Sequence, residues 1–360
     1  MKIISAYVMT ILLLTGCVSS VWGAAKGADL DSLYTQIDEA ISRSPQYVAE
    51  RNRQINNAME KFIAAHDAQQ RLESAEALFM LYKPYKNDSA LNYAEVCIDL
   101  SDSLHLLGEA GRYRSLQAHQ YSNAGLYVEA IDRLRQVNPS VLDNRGLTAY
   151  YEAWMHVYGQ LGQFTQLRHL QRAYFDRQDH YRDSVLMVAS EGSEEYLHLK
   201  MDVLCARMQY QEALSVSDRW CASVADGTHE NAYACFYRSV VYGKLGNNSL
   251  LRYWLGKSAL DDIKCGVNDQ AALIMLSELL CDDGDYDRAL RYATFSRQCN
   301  TTFFPCLRDY QVNSFVNVVS QNQQHIQARS HRLIVAAAVA VVLLALALLC
   351  LVVTVRRRKS

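Results

Sequence analysis

The sequence predicts an all-α fold, in which a helical-repeat solenoid is followed by one C-terminal transmembrane helix. Half of the 360 residues are apolar, which is enough to bury a substantial core. Only four prolines occur, and the run from 140 to 304 contains none, as is typical of long helices. A small-x-aromatic-x-x-small pattern recurs in the middle of the chain, and an uncharged apolar stretch lies near its C-terminus.

Residues 1–23 are typical of a secretory signal peptide. The single charge, Lys2, precedes the apolar run 3–16, which is too short to span a bilayer comfortably. We favour ordinary cleavage at 21–23 over lipidation at the lipobox-like motif that ends at Cys17, because a lipid would add a second membrane anchor. An uncleaved helix is the third alternative.

Residues 24–68 are predicted to form a helical N-terminal cap. Pro45 is expected to lie near a break in this helix, because a proline removes a backbone hydrogen bond. A first pair of helices is then expected at 69–82 and 89–106, and this pair fits the same stack as the repeats that follow.

Residues 69–325 are predicted to form a tetratricopeptide-like α-solenoid. In such repeats the recurring pattern marks the turn between paired helices, where the aromatic and small residues let the helices pack closely. The pattern recurs at steps of 37, 46, 38 and 38 residues, and the step of 46 leaves room for an insertion around 176–192. An irregular helical bundle is the alternative. The five markers begin at Gly125, Gly162, Met208, Gly246 and Gly284.

The strongest local signal is the stretch 333–355, which we predict to be the transmembrane helix. These 23 uncharged residues would form a helix about 35 Å long, against a hydrocarbon core of about 30 Å. The basic residues that follow place the tail 356–360 in the cytoplasm by the positive-inside rule. A last helix at 304–325 and a polar juxtamembrane neck at 326–332 precede the span. The last helix and the neck either continue into the transmembrane helix as one helix, or form a flexible connection to a transmembrane helix that only anchors the protein.

The exported part is predicted to be acidic and without catalytic chemistry. The whole chain carries −2, and five of its positive charges lie outside 24–332, so this part carries −7. This charge argues against binding to nucleic-acid phosphates. The sequence holds no motif of a phosphate loop, a zinc protease, a redox pair or a nucleophile elbow, so we expect no enzyme, cofactor or metal site.

Alignment of the repeat markers places several polar residues of the first helices on the concave side of the solenoid. Three histidines and two acids along one groove would suit a polar or charged ligand, and a solvated helix face is the alternative. An aromatic cluster around Trp154 is expected to pack in the core rather than bind a ligand. The candidate residues, with their histidines expected to be exposed, are His119, Glu152, His156, His198 and Asp202.

Eight of the ten cysteines lie between the two apolar end segments, an even number in a compartment that allows disulfides. Two pairs place one cysteine at the end of a second helix and the other at the start of the next repeat. We predict disulfides for Cys221 with Cys235 and for Cys299 with Cys306, with buried free thiols as the alternative.

Three stretches of the N-terminal part carry a family resemblance. The motif DSL at 31–33, the residues at 51 and 53–55, and above all LYKPYKNDSALNYA at 81–94 resemble the start of a Bacteroidetes family of membrane-spanning tetratricopeptide-repeat regulators. This family includes the starch-utilisation transcription regulator. The order of signal, repeats, span and basic stop also agrees with the family.

The resemblance implies a single-pass protein of the bacterial inner membrane with a periplasmic sensor domain. In the family, a cytoplasmic coiled coil and DNA-binding region control carbohydrate-utilisation genes, and no such region lies within this sequence. We therefore expect the sensing part of such a regulator, with an unknown periplasmic ligand or protein as partner, no nucleic-acid contact, and homo-oligomerisation left open. The alternative is a membrane-tethered periplasmic scaffold without signalling output.

Overall fold

A computed structural model describes residues 28 to 303 and single helical positions between 316 and 339, namely 316, 317, 319 to 321, 324, 332, 334, 335 and 339. Within 28 to 303 the chain forms thirteen α-helices, one short 3-10 helix at Pro139–Val141 and no strand, which confirms the all-α prediction for this part. The helices are α1 Ala28–Ala64, α2 Ala68–Tyr82, α3 Asn87–Ser103, α4 Leu107–Asn123, α5 Tyr127–Arg135, α6 Asn144–Phe164, α7 Arg168–Val188, α8 Glu194–Ala206, α9 Tyr210–Ser223, α10 His229–Lys244, α11 Asn248–Lys264, α12 Ala271–Asp282 and α13 Tyr286–Phe303.

Four of the five predicted turns between paired helices are confirmed. Their first residues adopt the left-handed backbone conformation that ends a helix, with φ of 81° at Gly125, 59° at Met208, 68° at Gly246 and 85° at Gly284. In each case the next helix begins two residues later. One turn of the same kind, at His105 with φ of 56°, was missed because histidine is outside the small-residue pattern.

The fifth marker was interpreted wrongly. Gly162 lies inside α6 rather than in a turn, and it is small because α7 packs directly against it. A Cβ atom at this position would lie 2.7 Å from Cε1 of Phe175. The stretch predicted as an insertion around 176–192 is not a separate segment, since most of it continues α7. Helices α6 and α7 form a hairpin of two 21-residue helices.

Helix α1 is continuous over 37 residues, and the predicted break at Pro45 is wrong. Both ends of the helix pack against other helices, and this packing stabilises α1 by more than the loss of one backbone hydrogen bond at Pro45 destabilises it. Ile37 lies in a core shared with α11, whereas Ile55 packs in a core with Leu78 of α2. Helix α1 therefore contacts both the beginning and the end of the repeat stack, and is more than a terminal cap.

This arrangement closes the solenoid into a ring. Arg291 Nη1 lies 2.9 Å from Asp38 Oδ1, and the backbone N–H of Asn268 donates to the carbonyl of Pro84 at 2.9 Å. Gly256 of α11 lets α1 approach closely, because a Cβ there would lie 2.7 Å from Cδ2 of Leu33. The first and last helix pairs are thus joined through α1 and through the loop that follows α2.

The predicted terminal segments lie mainly outside the described residues. This holds for the signal at 1–23, the tail at 356–360, and most positions of the neck and of the span at 333–355. Among the described residues, no helix has the length and apolar character needed to cross a bilayer. Val316 and Val319, two described positions of the predicted last helix, are buried against the last repeats, and Val319 shares its core with Ile37 of α1.

Candidate ligand-binding site

A cavity of about 460 Å³ lies between the α6–α7 hairpin, α8 and the middle of α10. Its wall combines two aromatic rings with carboxylate, guanidinium, imidazole and amide groups. This mixture of flat apolar surface and convergent polar groups is typical of small-molecule sites. The lining residues are Met155, His156, Gly159, Gln160, Gln163, Phe175, Gln178, Asp179, Arg182, His198, Leu199, Asp202 and Tyr237.

Helix α6 contributes one face to the cavity. His156, Gln160 and Gln163 follow each other at helical spacing and all line the wall. The imidazole of His156 is held from behind, since its Nδ1 lies 3.0 Å from Oγ of Ser122 and its ring centroid lies 4.3 Å from that of His119. These contacts fix the orientation of His156 at the cavity wall.

Helix α7 supplies the charged part of the wall. Arg182 donates through Nη1 to Oδ1 of Asp179 at 2.6 Å and through Nη2 to Asp183 at 3.3 Å. Its buried Nε has no hydrogen-bond partner among the described residues. Phe175, 39% exposed on the same helix, presents an aromatic ring to the cavity. A guanidinium group, a carboxylate and an aromatic ring are therefore available along one side.

His198 closes the cavity from α8 and is only 4% exposed, so the expectation that it is exposed was wrong. Its Nδ1 lies 3.0 Å from the carbonyl of Glu194, and its ring stacks on Tyr237 with centroids 4.9 Å apart. Burial lowers the pKa of His198 to about 4, which keeps the ring neutral at pH 7. Because Nδ1 donates to the carbonyl, Nε2 is the acceptor nitrogen.

Asp202 lies one turn after His198 at the solvent-exposed mouth of the cavity. Loss of solvation raises the pKa of Asp202 to about 6, although the positive charges of Arg182 and Lys244 oppose this shift. At pH 7 the carboxylate is mainly ionised and is an acceptor for hydroxyl or amide groups.

Three of the five sequence-predicted residues, His156, His198 and Asp202, line this cavity. His119 lies behind His156, and Glu152 faces a different surface. The sequence analysis missed Gln160 and Gln163, although helical spacing from His156 places both on the same face of α6. Phe175, Gln178 and Arg182 show the same spacing on α7, but that region was interpreted as an insertion. Among the described residues, no cluster of His, Cys, Asp or Glu has the geometry of a metal site.

Glu152 belongs to an acidic cluster with Glu194 and Glu195, which also lies near Lys83. Its carboxyl is half-buried, and loss of solvation raises its pKa to about 7, despite the positive charge of Lys83. Burial also raises the pKa of Glu194 nearby. A third carboxyl, Asp262, binds Nδ1 of His229 at 2.7 Å, and burial raises its pKa to about 6. Two carboxyl groups, Glu152 and Asp262, therefore become charged close to neutral pH.

The variant Glu152→Gln is expected to raise the midpoint of thermal unfolding at pH 8 and to change it little at pH 5. The pKa of Glu152 is about 7 in the folded chain and 4.5 in the unfolded chain, so the wild type loses stability as the pH rises through this interval. A neutral amide avoids this loss, by about 1 to 2 kcal/mol after screening by solvent. The exposed Glu129→Gln is the control, with a flat response. Equal stabilisation by Glu152→Gln at pH 5 and pH 8 would contradict the raised pKa of Glu152.

Two other predictions concern aromatic and cysteine residues. Trp154 is 8% exposed and stacks on Tyr181 at 5.8 Å, which confirms core packing of the aromatic cluster. Cys221, Cys235 and Cys299 are free thiols, and Cys306 lies outside the described residues. The predicted disulfide between Cys221 and Cys235 is therefore not formed in the structure, where the alternative of free thiols applies, and the disulfide between Cys299 and Cys306 stays a prediction.

A comparison of the sequence with known protein families identifies a family of tetratricopeptide-repeat domains. The family described as the SusR N-terminal TPR domain matches residues 41–314, about three quarters of the chain. None of the curated proteins matches the chain. The matched range includes the left-handed turns between paired helices and all residues that line the cavity. It also confirms the family resemblance of the N-terminal motifs, and we conclude that the chain belongs to the SusR N-terminal TPR domain family.

Proposed function

We propose that the chain is the sensing part of a transmembrane regulator of carbohydrate utilisation, and that it binds a neutral saccharide in the cavity between α6, α7 and α8. The observation that carries this proposal is the composition of the cavity wall. Carboxylates of Asp179 and Asp202 accept from hydroxyl groups, amides of three glutamines both donate and accept, and Phe175 and Tyr237 offer flat apolar surfaces.

Charge supports a neutral ligand rather than an ion. Arg182 is already paired with Asp179 and Asp183, and His198 is neutral, so the wall has no strong excess of positive charge for an anion. Its volume of about 460 Å³ lies in the range of small-molecule pockets, about 300 to 1,000 Å³. Membership of the SusR N-terminal TPR domain family supports a role in carbohydrate utilisation.

The proposal includes a periplasmic repeat domain anchored in the inner membrane by the stretch 333–355. Support comes from the sequence alone, through the signal-like N-terminus, the uncharged stretch and the basic residues that follow it. Val319 ties the segment before the proposed span to the core that contains α1. Ligand-dependent movement of the ring would in this way reach the membrane segment.

A membrane-tethered scaffold is the second candidate function. The observation that favours it is the tetratricopeptide-like architecture, because helical-repeat solenoids offer extended surfaces for protein partners. A scaffold would show no affinity for saccharides in the cavity, and its partner would bind equally well to variants of the cavity wall.

Arg182→Ala is expected to weaken saccharide binding by about 10- to 100-fold, because it removes the unpartnered Nε donor and leaves the Asp179 carboxylate of the wall without its ion-pair partner. A hydrogen bond to a charged group contributes about 1.5 to 3 kcal/mol. The measurement is calorimetric titration of the full-length chain in detergent or nanodiscs with glucose and starch-derived oligosaccharides, and with neutral amino acids as other ligands. Arg172→Ala is the matched control, since this exposed arginine lies on the same helix and does not line the cavity.

Three outcomes distinguish the proposals. Saccharide binding that Arg182→Ala weakens and Arg172→Ala leaves intact supports the sensing cavity. Saccharide binding that neither variant changes would place the site elsewhere on the chain. Absence of binding across the saccharide series would contradict the sensor proposal and favour the scaffold.

A further inference from the structure

Among the described helices, consecutive members of the stack pack least closely at the boundary between α7 and α8. Helix α7 packs extensively along α6 but contacts α8 only sparsely. Of the 21 residues of α7, only Val185 in its last turn is buried. In a helical-repeat stack each pair normally buries its apolar surface against the next pair. Most of this packing is missing between α7 and α8.

Separate hydrophobic cores lie on the two sides of this boundary. Before it, Trp154 and Val157 of α6 pack with residues of α4, α5 and α7. After it, Leu197 and Met201 of α8 pack with residues of α9 and α10, including Trp220. Neither of these two cores includes a described residue from the other side. Helices α2 to α7, here called the first body, and α8 to α13, the second body, are therefore not joined by a common core at this boundary.

The connection between α7 and α8 is short and exposed. It comprises residues 189–193, of which 190–192 are exposed. Its turn is closed by a hydrogen bond from the backbone N–H of Ser193 to the carbonyl of Ser190 at 2.8 Å. A Cβ atom at Gly192 would meet no other atom within 4 Å. Such a turn can absorb a rotation of one body against the other through a few backbone dihedral angles.

Helix α1 joins the two bodies elsewhere on the ring. Ile37 of α1 lies in a core with residues of α11 and α12, and Ile55 lies in a core with Leu78 of α2. Both contacts are buried and apolar, in contrast to the sparse contact between α7 and α8. The ring should therefore yield first at the boundary between α7 and α8.

The cavity lies at this boundary, and each body contributes part of its wall. Phe175, Gln178 and Arg182 belong to the first body, whereas His198 and Asp202 belong to the second. A ligand that fills the cavity consequently contacts both bodies at once.

Opposite charges face the cavity from the two bodies. The guanidinium of Arg182 is held on α7 by Asp179 and Asp183, and Asp202 lies at the mouth of the cavity on α8. Burial raises the pKa of Asp202 and the positive charge of Arg182 opposes this shift, so the two groups interact across the boundary. Approach of the two bodies strengthens this attraction.

We propose that the boundary between α7 and α8 is a hinge of the ring, and that a ligand in the cavity closes it by contacting both bodies. The identity of the ligand rests on the proposed function, but the hinge itself does not require a saccharide. Since only the closed form contacts the ligand from both sides, binding shifts the population towards that form. The site thereby gains a conformational change through which the bound ligand is sensed.

The first measurement needs no ligand. Nitroxide labels are attached to unnatural amino acids, which leaves the native cysteines unlabelled, at Arg172 of α7 and Arg219 of α9 in the full-length chain in nanodiscs. The control pair, Arg172 and Asp99 of α3, lies within the first body, and all three positions are exposed. Pulsed double-resonance spectroscopy should give a broader distance distribution across the boundary than within the first body. Equally narrow distributions would overturn the hinge.

A charge variant tests the boundary without a ligand as well. Asp202→Arg should lengthen the mean distance between the labels on α7 and α9, because it sets a second positive charge opposite Arg182. The matched control is Glu212→Arg, an exposed position of α9 outside the cavity wall, which should leave the distance unchanged. Circular dichroism verifies folding. A folded Asp202→Arg with an unchanged distance would count against the proposal.

Addition of saccharide separates the hinge from the proposed function. A saccharide that binds by calorimetry should narrow the distribution across the boundary and shorten its mean by more than about 2 Å, against shifts of about 1 Å in preorganised sites. Binding without any change in distance would overturn closure and leave the saccharide site intact. A broad ligand-free distribution without saccharide binding would support the hinge and contradict the proposed function.

Discussion

Replacement of Ile37 by Ala is expected to lower the free energy of unfolding by about 3 kcal/mol, as is typical for truncation of a fully buried aliphatic side chain. Ile37 is completely buried, and its neighbours include Leu255, Ala259 and Leu273 of the last repeats. The substitution removes contacts between α1 and α11 without touching the first helix pair. Chemical denaturation monitored by circular dichroism measures the change.

The matched control for this prediction lies on the same helix. Ile63 is 73% exposed, so Ile63→Ala should change the stability by less than about 0.5 kcal/mol. Hydrogen exchange adds a positional readout, because loss of ring closure should accelerate exchange in α11 and α12. If α1 were only an N-terminal cap, Ile37→Ala would leave exchange in those helices unchanged, which would contradict the closed ring.

Arg112→Met is expected to destabilise the chain by about 3 kcal/mol, because it removes the buried member of an ion-pair cluster and leaves Glu76 with only the exposed Arg145 as its partner. The side chain of Arg112 is 4% exposed and pairs with Glu76 at 2.9 Å and with Glu109 at 2.7 Å. Its guanidinium also lies 4.1 Å from the ring centroid of Tyr113. Thermal and chemical unfolding of the variant measure the loss.

The pH dependence of this variant provides a second readout. Burial alone would raise the pKa of Glu76, but the charge and hydrogen bonds of Arg112 lower it below 4.5. The wild type therefore gains stability from this pair above pH 4.5 and loses it as the pH falls. Arg135→Met is the control, since Arg135 and its partner Asp132 are 72% and 61% exposed. Equal destabilisation by Arg112→Met and Arg135→Met would contradict the prediction that the buried arginine contributes more to stability than the exposed one.

The helix pairs could be predicted from the sequence because the turns between them need particular residues. Glycine or a comparable residue adopts a positive φ at each turn, and Gly125, Gly246 and Gly284 show this directly. The turn pattern gives a wrong prediction where a glycine is needed for close helix packing instead of a positive φ. Gly162 is small because it lies against Phe175, and no local pattern distinguishes this close approach from a turn.

Ring closure could not be predicted, because it depends on contacts between residues far apart in the sequence. Asp38 pairs with Arg291, and Tyr292 donates from its hydroxyl to the carbonyl of Tyr34 at 3.2 Å. The helical pattern of α1 shows that the helix has an apolar face, but not which repeat that face contacts. The closed form also explains why α1 stays continuous through Pro45.

The candidate site was predicted in part. The structure brings His156, His198 and Asp202 to one cavity, because helical spacing and the repeat register place first-helix residues on one side. The contribution of α7 was missed, since the longer step between repeats was interpreted as an irregular insertion. The burial of His198 depends on Tyr237 from another repeat, and this contact is not visible in the local sequence.

The cavity wall and its immediate support form one unit in the structure. Ser122 and His119 orient His156 from one side, whereas Tyr237 and the carbonyl of Glu194 orient His198 from the other. A preorganised wall of this kind lowers the conformational cost of ligand binding. Saccharide binding should consequently change the dynamics of α6, α7 and α8 more than those of the first repeat.

Hydrogen exchange of the full-length chain in nanodiscs, with and without the starch-derived oligosaccharides, tests the central claim most directly. We predict slower exchange in α6, α7 and α8 with an effective saccharide, unchanged exchange in α2 and α3, and loss of the protection in Arg182→Ala but not in Arg172→Ala. Protection confined to other helices, or identical exchange with every saccharide, would contradict the assignment of this cavity as the sensing site.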